Sequence, residues 1–199
     1  NEGFKIILIG HKNHPEVEGT MGQLPEGSIS LIEKISDIEK LDFNAEDEVA
    51  YITQTTLSVD DTNSIILELK QRYPNIKSSP KEDICYATTN RQNAIKVHAS
   101  KCDSFIVIGS KNSSNSNRLV EVAVNSGCKN ACLLEDSSQL NLKKYNNAKI
   151  IGISSGASVP DILVEDVVEK FKEYFNVDIK NAIYGEENVN FKLPKELRK

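Results

Sequence analysis

The segment FIVIGSKNSSNSNRLVEVA, residues 105–123, decides the fold of this chain. An apolar run is followed by a glycine, then by a loop of serines and asparagines, and then by a run with helical spacing. A loop of this composition often marks a flexible linker, but here it joins a predicted strand to a predicted helix. The order strand, glycine, polar loop and helix is typical of parallel α/β proteins.

The same order occurs twice more, in IILIGHKNHPEVEGT (6–20) and in IIGISSGASVPDILVEDV (150–167). We interpret the three segments as a degenerate internal repeat. Their loops follow the carboxyl ends of strands, where open α/β sheets bind ligands, and they lead into helix N-termini, which favour anions. One Ser/Asn loop on its own is better explained by a capped, solvated turn. Three such loops at one end of a molecule predict an anionic ligand.

The remaining periodicity predicts further strands and helices of an α/β fold with mainly parallel sheets. A helix over SVDDTNSIILELKQRYP, residues 58–74, is expected to be capped by Asp60 or Asp61. A second helix in DICYATTNRQNAIKVHAS is expected to be capped by Thr88 or Thr89. Turn-prone residues at 78–80 predict a boundary, which gives units at 1–80 and 81–175 and a C-terminal tail at 176–199. Strands are predicted at 4–10, 28–32, 48–55, 104–110, 129–136 and 148–156, with a short helix at 36–41 and a long helix after Pro160.

Composition argues against several classes of protein. The chain has 199 residues, 39% of them hydrophobic, and a net charge of -5 without a basic block, so we expect neither nucleic-acid binding nor a membrane span. The absence of a signal peptide, and of a disulfide-type spacing among four cysteines, predicts a reducing, cytosolic setting. Cys128 and Cys132 are weak candidates for a metal site, and a buried, inert thiol explains Cys132 better. The absence of an initiating Met suggests an internal piece of a longer protein.

A few residues next to strand ends have the chemistry of a reaction site. His14 and Glu16 could pass protons, although a helix start also explains them. Thr55 and Thr56 end a predicted strand, where they could donate to a ligand or simply favour the extended backbone. Cys85 precedes a predicted helix start, where a thiolate could ligate metal, although burial would explain a single cysteine equally well.

Five motifs together resemble one family, the 4-hydroxy-3-methylbut-2-enyl diphosphate reductases of the LytB/IspH type. The resemblance is in order and in register over nearly the whole chain, and the C-terminal ENVNFKLPKELR matches as well. The motifs are GHKNHPEVEGTMGQ, TQTTLSVDDT, DICYATTNRQNA, GSKNSSNSNRL and SSGASVPDILVEDVV.

The resemblance implies a fold, a reaction and partners. The family fold is a trefoil of three pseudo-repeated α/β domains around a [4Fe–4S] cluster, and this chain would hold two of the three domains. The reaction is the last step of the non-mevalonate isoprenoid pathway, in which a hydroxyl is reductively removed from an allylic diphosphate to give isopentenyl and dimethylallyl diphosphate. An electron donor such as ferredoxin or flavodoxin is implied. The location would be the bacterial cytoplasm or a plastid-type organelle.

The resemblance also assigns roles to matching positions. Cys85 would be one of three cysteine ligands of the cluster. Glu16 would supply the proton for the departing hydroxyl, His14 would contact the diphosphate and help feed that proton, and Thr55 would hydrogen-bond near the substrate hydroxyl. The remaining diphosphate contacts would come from Ser113, Ser114, Asn115 and Ser158.

The chain departs from the family in one large respect, because the N-terminal domain and its two cluster cysteines are missing from it. We therefore expect this polypeptide alone to be inactive, and the tail at 176–199 to pack on the missing domain. Two other hypotheses stay open. The chain could be a non-catalytic α/β module that binds a phosphate or a nucleotide, or it could be an inactive truncated gene product.

Overall fold

The chain folds into strands and helices that alternate along most of its length. The computed structural model describes residues 3–44, 47–80, 82–182, 184–185, 189 and 192–198. The strands are β1 Lys5–Ile9, β2 Ile29–Ile32, β3 Val49–Thr53, β4 Lys77–Ser78, β5 Ser104–Ile108, β6 Ala131–Leu134 and β7 Ile151–Ser155. The α-helices are α1 Pro15–Met21, α2 Val59–Arg72, α3 Tyr86–His98, α4 Ser114–Asn125 and α5 Asp161–Tyr174. Short 3-10 helices cover Ile35–Lys40, Ala99–Lys101, Ser137–Gln139, Leu142–Tyr145 and Lys195–Leu197.

Two parallel sheets are built with the same topology, which confirms the predicted α/β class. The first sheet has the order β2-β1-β3-β4 and the second has the order β6-β5-β7. In both sheets the first strand along the chain lies in the middle, between the second and the third, and every pairing is parallel. The carboxyl ends of all strands within one sheet therefore meet at one edge, where the polar loops begin.

The sheet order refines the interpretation of three repeats. The segments 6–20 and 105–123 are equivalent, because each supplies the central strand of its sheet and the helix that follows it. The segment 150–167 supplies β7 and α5 of the second sheet, and its equivalent in the first sheet is β3 with α2. The structure therefore has two repeated units with two such loops each, whereas the sequence pattern indicated three units with one loop each.

The cores explain why the central strands are apolar throughout. On β5, Phe105 and Val107 pack under α3 and α4, while Ile106 and Ile108 pack under α5. All four side chains are at most 4% exposed, as expected for a strand that is covered on both faces. On β1, Ile7 and Ile9 pack with α2, and Leu8 packs with α1 on the other face.

Two predicted helix caps are wrong by several residues. Ser58 caps α2, because its hydroxyl accepts from the Asp61 N–H at 3.3 Å, and Asp60 and Asp61 lie in the first turn. Helix α3 begins at Tyr86, with Cys85 at the N-cap position, rather than at Thr88 or Thr89. Thr88 is 2% exposed and lies inside the helix. A cysteine is a poor capping residue, so cap preferences pointed further along the chain.

The C-terminal tail has little regular structure among its described residues. Beyond Phe175 only the 3-10 helix at Lys195–Leu197 is formed, and the described apolar side chains there are largely exposed. Part of the motif ENVNFKLPKELR, namely residues 187, 188, 190 and 191, lies outside the described residues. The packing of the tail on a further domain, and the boundaries at 80 and 175, stay predictions. None of the described helices has the length and apolar character that crossing a bilayer requires.

Candidate functional site

The two units meet where the loops after β1 and β5 enter their helices. The ring Nε2 of His14 lies 2.7 Å from the Ser114 hydroxyl, although the two residues are 100 positions apart in the chain. His14 is the N-cap of α1 and Ser114 is the first residue of α4. The structure therefore brings together two residues that the resemblance assigned to one diphosphate.

The hydrogen bonds of His14 determine which ring nitrogen carries the proton. Its Nδ1 accepts from the Glu16 N–H at 3.2 Å, so in the neutral ring Nδ1 is unprotonated and Nε2 carries the hydrogen. Nε2–H therefore donates to the Ser114 oxygen. Because that oxygen receives a hydrogen from His14, the Ser114 O–H is left to donate to a third group. The pair is thus arranged to bind an acceptor such as a phosphate oxygen.

Glu16 is held at the carboxyl end of β3, in the first turn of α1. Its Oε1 accepts from the Thr55 N–H at 2.8 Å. The predicted helix start is correct, and a carboxylate in a first turn is favoured by the helix dipole. The role of Glu16 as an acid stays a prediction. Among the described residues no donor contacts Oε2, so that oxygen is available to an added ligand.

Cys85 is connected to Glu16 through the backbone of Thr55. The Cys85 N–H donates to the Thr55 carbonyl at 3.1 Å, while the N–H of the same threonine holds Glu16. The Cys85 side chain is exposed, it caps no N–H, and it lies at the N-terminus of α3. The expectation of a buried cysteine is therefore wrong. An exposed thiol at a helix N-terminus has the setting of a metal ligand or a nucleophile.

Most polar side chains of the Ser/Asn loop hold the loop itself. The Ser113 hydroxyl caps α4 by accepting from the Ser116 N–H at 3.2 Å and lies 3.1 Å from the Ser116 hydroxyl. The Asn117 amide donates to the carbonyls of Lys111 and Ser113. The interpretation of a capped turn is therefore correct for these residues. Within this loop, Ser114 and Asn115 are the side chains with a different use.

Asn115 carries the clearest sign of a missing ligand. The residue is 7% exposed, and its Oδ1 has no hydrogen-bond partner. A buried, unpaired amide oxygen is costly, so such an atom usually serves a group that is not part of the chain. The amide can present either its oxygen or its NH₂ to that group by rotating about its last torsion angle.

Two glycines bring the loop after β7 against the loop after β5. A methyl group at Gly109 would lie 2.2 Å from the Ser116 hydroxyl, and one at Gly156 would lie 2.3 Å from the same oxygen. The buried Ser116 side chain thus fills the space that both glycines leave. Ser158 follows two residues later and is exposed, and no contact joins it to the other site residues within the described chain. Its assignment as a diphosphate contact stays a prediction.

The sequence did not predict a second contact, which joins the loop after β1 to helix α4. The ring Nε2 of His11 lies 3.1 Å from Nη2 of Arg118. Because a guanidinium only donates, His11 must accept through Nε2 and carry its hydrogen on Nδ1, which lies 3.8 Å from Glu33. Ser114 and Arg118 are one helical turn apart, so the two histidines reach one face of α4. Neither His11 nor Arg118 has a sequence pattern that predicts this contact.

The other cysteines do not join Cys85. Cys128 is buried, and burial raises the pKa of the half-buried Cys102 thiol. Cys132 is half-buried, with its sulfur 3.7 Å from the Tyr145 hydroxyl. Burial and this contact raise the pKa of Tyr145. In the part of the chain that the structure describes, no three His, Cys, Asp or Glu side chains are grouped to hold a metal ion.

The described residues therefore provide one of the protein ligands of an iron–sulfur cluster and not the complete set. Clusters of the [4Fe–4S] type are held by several thiolates, and the described residues offer one exposed thiol beside the acid. Cys85 fits the role of a single ligand. Further thiolates would have to come from outside this chain.

The fold and this site define a class: a duplicated parallel α/β protein in which a histidine, hydroxyls and a buried amide lie near a carboxylate and an exposed thiol. Comparison with known proteins gives the family. The chain matches the family described as LytB protein over residues 1–172 and belongs to that family.

Curated relatives and a solved structure agree with this assignment. The 4-hydroxy-3-methylbut-2-enyl diphosphate reductase of Actinobacillus succinogenes is 52% identical over 200 residues, which cover 99% of this chain and 63% of that protein. The protein of the same name from Brucella suis is 46% identical over 196 residues, which cover 98% of this chain and 57% of that protein. The structure of the E-1-hydroxy-2-methyl-but-2-enyl-4-diphosphate reductase from Plasmodium falciparum matches with a TM-score of 0.90 at 38% identity, covering 98% of this chain and 61% of that chain. The chain spans about three fifths of the length of these relatives.

Proposed function

We propose that this chain is part of an enzyme that reductively removes the hydroxyl of 4-hydroxy-3-methylbut-2-enyl diphosphate, giving isopentenyl and dimethylallyl diphosphate. One observation carries the proposal. A continuous set of hydrogen bonds runs from Ser114 through His14 to the Glu16 backbone, and from the Glu16 carboxylate through Thr55 to Cys85. A diphosphate contact, an acid and a thiol thus lie side by side.

The diphosphate is bound by the groups around α4 and the start of α1. Ser114 donates its O–H and Asn115 turns its buried amide toward a phosphate oxygen. His14 keeps the Ser114 oxygen occupied, so the hydroxyl hydrogen points to the ligand. Ser113 and Ser158 would add the remaining contacts that the family resemblance implies, and the N-terminus of α4 adds a partial positive charge.

Glu16 supplies the proton for the departing hydroxyl. One carboxylate oxygen is fixed by the Thr55 N–H, which leaves the other to carry and transfer a proton. The breaking C–O bond releases water once the oxygen is protonated, and the allylic carbon receives two electrons and a proton. The Thr55 hydroxyl lies at the same strand end, where it orients the leaving oxygen.

Cys85 supplies one thiolate to a [4Fe–4S] cluster whose other cysteines belong to a part of the protein outside this chain. A bound cluster would supply one-electron transfer and Lewis acidity toward the hydroxyl oxygen, and Cys85 would be one of the residues that hold it. The electrons come from a small donor such as ferredoxin or flavodoxin. A bacterial cytoplasm or a plastid-type organelle would provide the donor.

The replacement Glu16→Gln in the full-length gene product tests this function. A glutamine oxygen can still accept from Thr55, so the fold and diphosphate binding should persist while turnover falls by about a hundredfold or more. Glu18→Gln is the matched control, because Glu18 is exposed on the same helix. Anaerobic turnover and calorimetric titration with the substrate diphosphate would be compared for both variants. If E16Q keeps wild-type turnover, Glu16 is not the acid.

A second candidate is an α/β module that binds a phosphate or a nucleotide without catalysis. It is favoured because Cys85 is the one exposed thiol among the described residues, and because the loops alone can bind an anion. Such a module would bind the diphosphate but would show no turnover in the full-length protein and no difference between E16Q and E18Q.

A further inference from the structure

Helix α3 carries a fully buried amide that no assigned role explains. Gln92 is 0% exposed, and both ends of its side chain are used. Its Oε1 accepts from the Val59 N–H at 3.0 Å, and its Nε2 donates to the Leu57 carbonyl at 2.8 Å. Val59 is the first residue of α2, so its N–H has no partner inside that helix. A side chain from the second unit thus satisfies two backbone groups of the first.

The same stretch of the first unit is held to α3 at further points. The Thr53 N–H donates to the Asp83 carboxylate at 2.9 Å, just before α3 begins. The Cys85 N–H donates to the Thr55 carbonyl at 3.1 Å. One turn beyond Gln92, the ammonium of Lys96 lies 2.7 Å from the carboxylate of Asp60. These contacts run in parallel order along both segments.

Gln92 differs from the other contacts because it is buried and makes two bonds. The Lys96–Asp60 pair is partly exposed, with Asp60 69% exposed, and such pairs contribute little. A buried amide with both ends paired fixes its partners firmly, because breaking either bond leaves a buried polar group unsatisfied. Gln92 lies seven residues after Cys85, which is the N-cap of the same helix, so a helix that is held at Gln92 also holds the position of Cys85.

The carboxylate of Glu16 is attached to this stretch as well, through the Thr55 N–H. The position of α3 relative to residues 53–60 therefore sets the position of the Cys85 thiol relative to the Glu16 carboxylate. We propose that Gln92 is a positioning residue of the reaction site, which fixes Cys85 against Glu16 and Thr55 by bonding the Leu57 carbonyl and the Val59 N–H. The role in turnover rests on the proposed function, while the placement of Cys85 does not.

The test uses Gln92→Met, which keeps the length of the side chain and removes both hydrogen bonds. Gln92→Asn is the second variant, because its shorter amide can keep at most one of the two bonds. Gln71→Met is the matched control, since Gln71 is an exposed glutamine on α2. All three are made in the full-length gene product, and circular dichroism verifies that each variant is folded.

Two readouts separate positioning from folding. Turnover per bound iron should fall about tenfold in Q92M at unchanged KM, because misplaced groups lose rate without losing substrate binding. In the protein freed of iron, the rate of Cys85 alkylation by iodoacetamide should rise about threefold, because α3 loses its two buried bonds to residues 57 and 59 and its N-terminal end is held less firmly to the first unit. Alkylation of the half-buried Cys102 in the same sample should stay constant. Q92N should lie between wild type and Q92M, and Q71M should match wild type.

Each outcome decides the proposal. If Q92M reaches wild-type turnover per bound iron and wild-type alkylation at Cys85, Gln92 does not position the site. Gln92 is likewise not a positioning residue if Q92M lowers only the amount of folded protein. If Q92M does not fold, the comparison of Q92N with Q71M decides in the same way. If the wild-type protein does not convert the diphosphate, the proposed function fails, and the alkylation rates alone decide whether Gln92 positions Cys85.

Discussion

A methyl group at Gly156 should destabilise the second unit through one neighbouring oxygen. The new Cβ would lie 2.3 Å from the Ser116 hydroxyl but 3.6 Å from the Ser116 Cβ, which is an ordinary contact. Gly156 does not have a positive φ, so alanine fits its backbone and the effect is steric. Overpacking of this kind lowers the free energy of unfolding by about 1–3 kcal/mol.

Removing the Ser116 hydroxyl should therefore rescue Gly156→Ala. Ser116→Ala alone loses the contact with Ser113 and should cost about 1 kcal/mol. In the double variant the clash is gone, so the double-mutant coupling should amount to about 1–2 kcal/mol. Urea unfolding of the four proteins, followed by circular dichroism, gives the coupling.

Gly109→Ala is the control for this cycle. A methyl group there would lie 2.2 Å from the Ser116 hydroxyl and also 2.7 Å from the Ser116 Cβ, so Ser116→Ala leaves a severe clash in place. We expect G109A to be destabilised with and without the Ser116 substitution. Equal rescue of both glycine variants, or a G156A protein as stable as wild type, would refute the close packing of the two loops around Ser116.

Two further predictions concern acid stability and the iron–sulfur cluster. The backbone N–H groups of Ile150 and Lys149 hold the pKa of Asp103 below its usual 3.8, so this carboxylate stabilises the fold at higher pH and loses its effect as the pH falls through the lowered pKa. Urea unfolding at a series of pH values would compare the free energy of unfolding of wild type and Asp103→Asn. Wild type should be more stable above pH 3.8, and the difference should vanish in stronger acid. A stability difference that grows as the pH falls would contradict the argument. This 199-residue chain should bind no stable cluster when it is incubated anaerobically with iron and sulfide, because its described residues offer a single suitable thiol. A persistent visible absorption band of a thiolate-bound cluster would contradict this prediction.

The sequence predicted six of the seven described strands because parallel, covered strands are largely apolar, and it missed β4 at Lys77–Ser78, whose two exposed residues carry no apolar signal. The runs around β1 and β5 were recognisable for this reason, and so was the glycine that ends each of them. Helix starts were less predictable. Cys85 caps α3 without using its side chain, so nothing in its chemistry marks it as a cap.

The contacts between the units could not be predicted from local patterns. His14 and Ser114 were each assigned by resemblance, but their separation along the chain leaves no periodic signal that they touch. Arg118 and Gln92 look like ordinary surface and helix residues in the sequence. Their roles depend on which face of a helix meets the other unit, and this follows only from the packing of two sheets.

The duplicated topology places two different side chains at equivalent positions of the two units. In each unit the N-cap lies four residues after the glycine, at His14 and at Ser113, and the helix begins one residue later. Glu16 and Asn115 follow at the second helical position of their units. Their surroundings differ: the Glu16 carboxylate accepts from the Thr55 N–H beyond the end of β3, whereas the Asn115 Oδ1 is buried without a hydrogen-bond partner among the described residues. The repeated backbone thus offers one position twice, and under the proposed function the carboxylate at this position would transfer a proton while the amide would bind an anion.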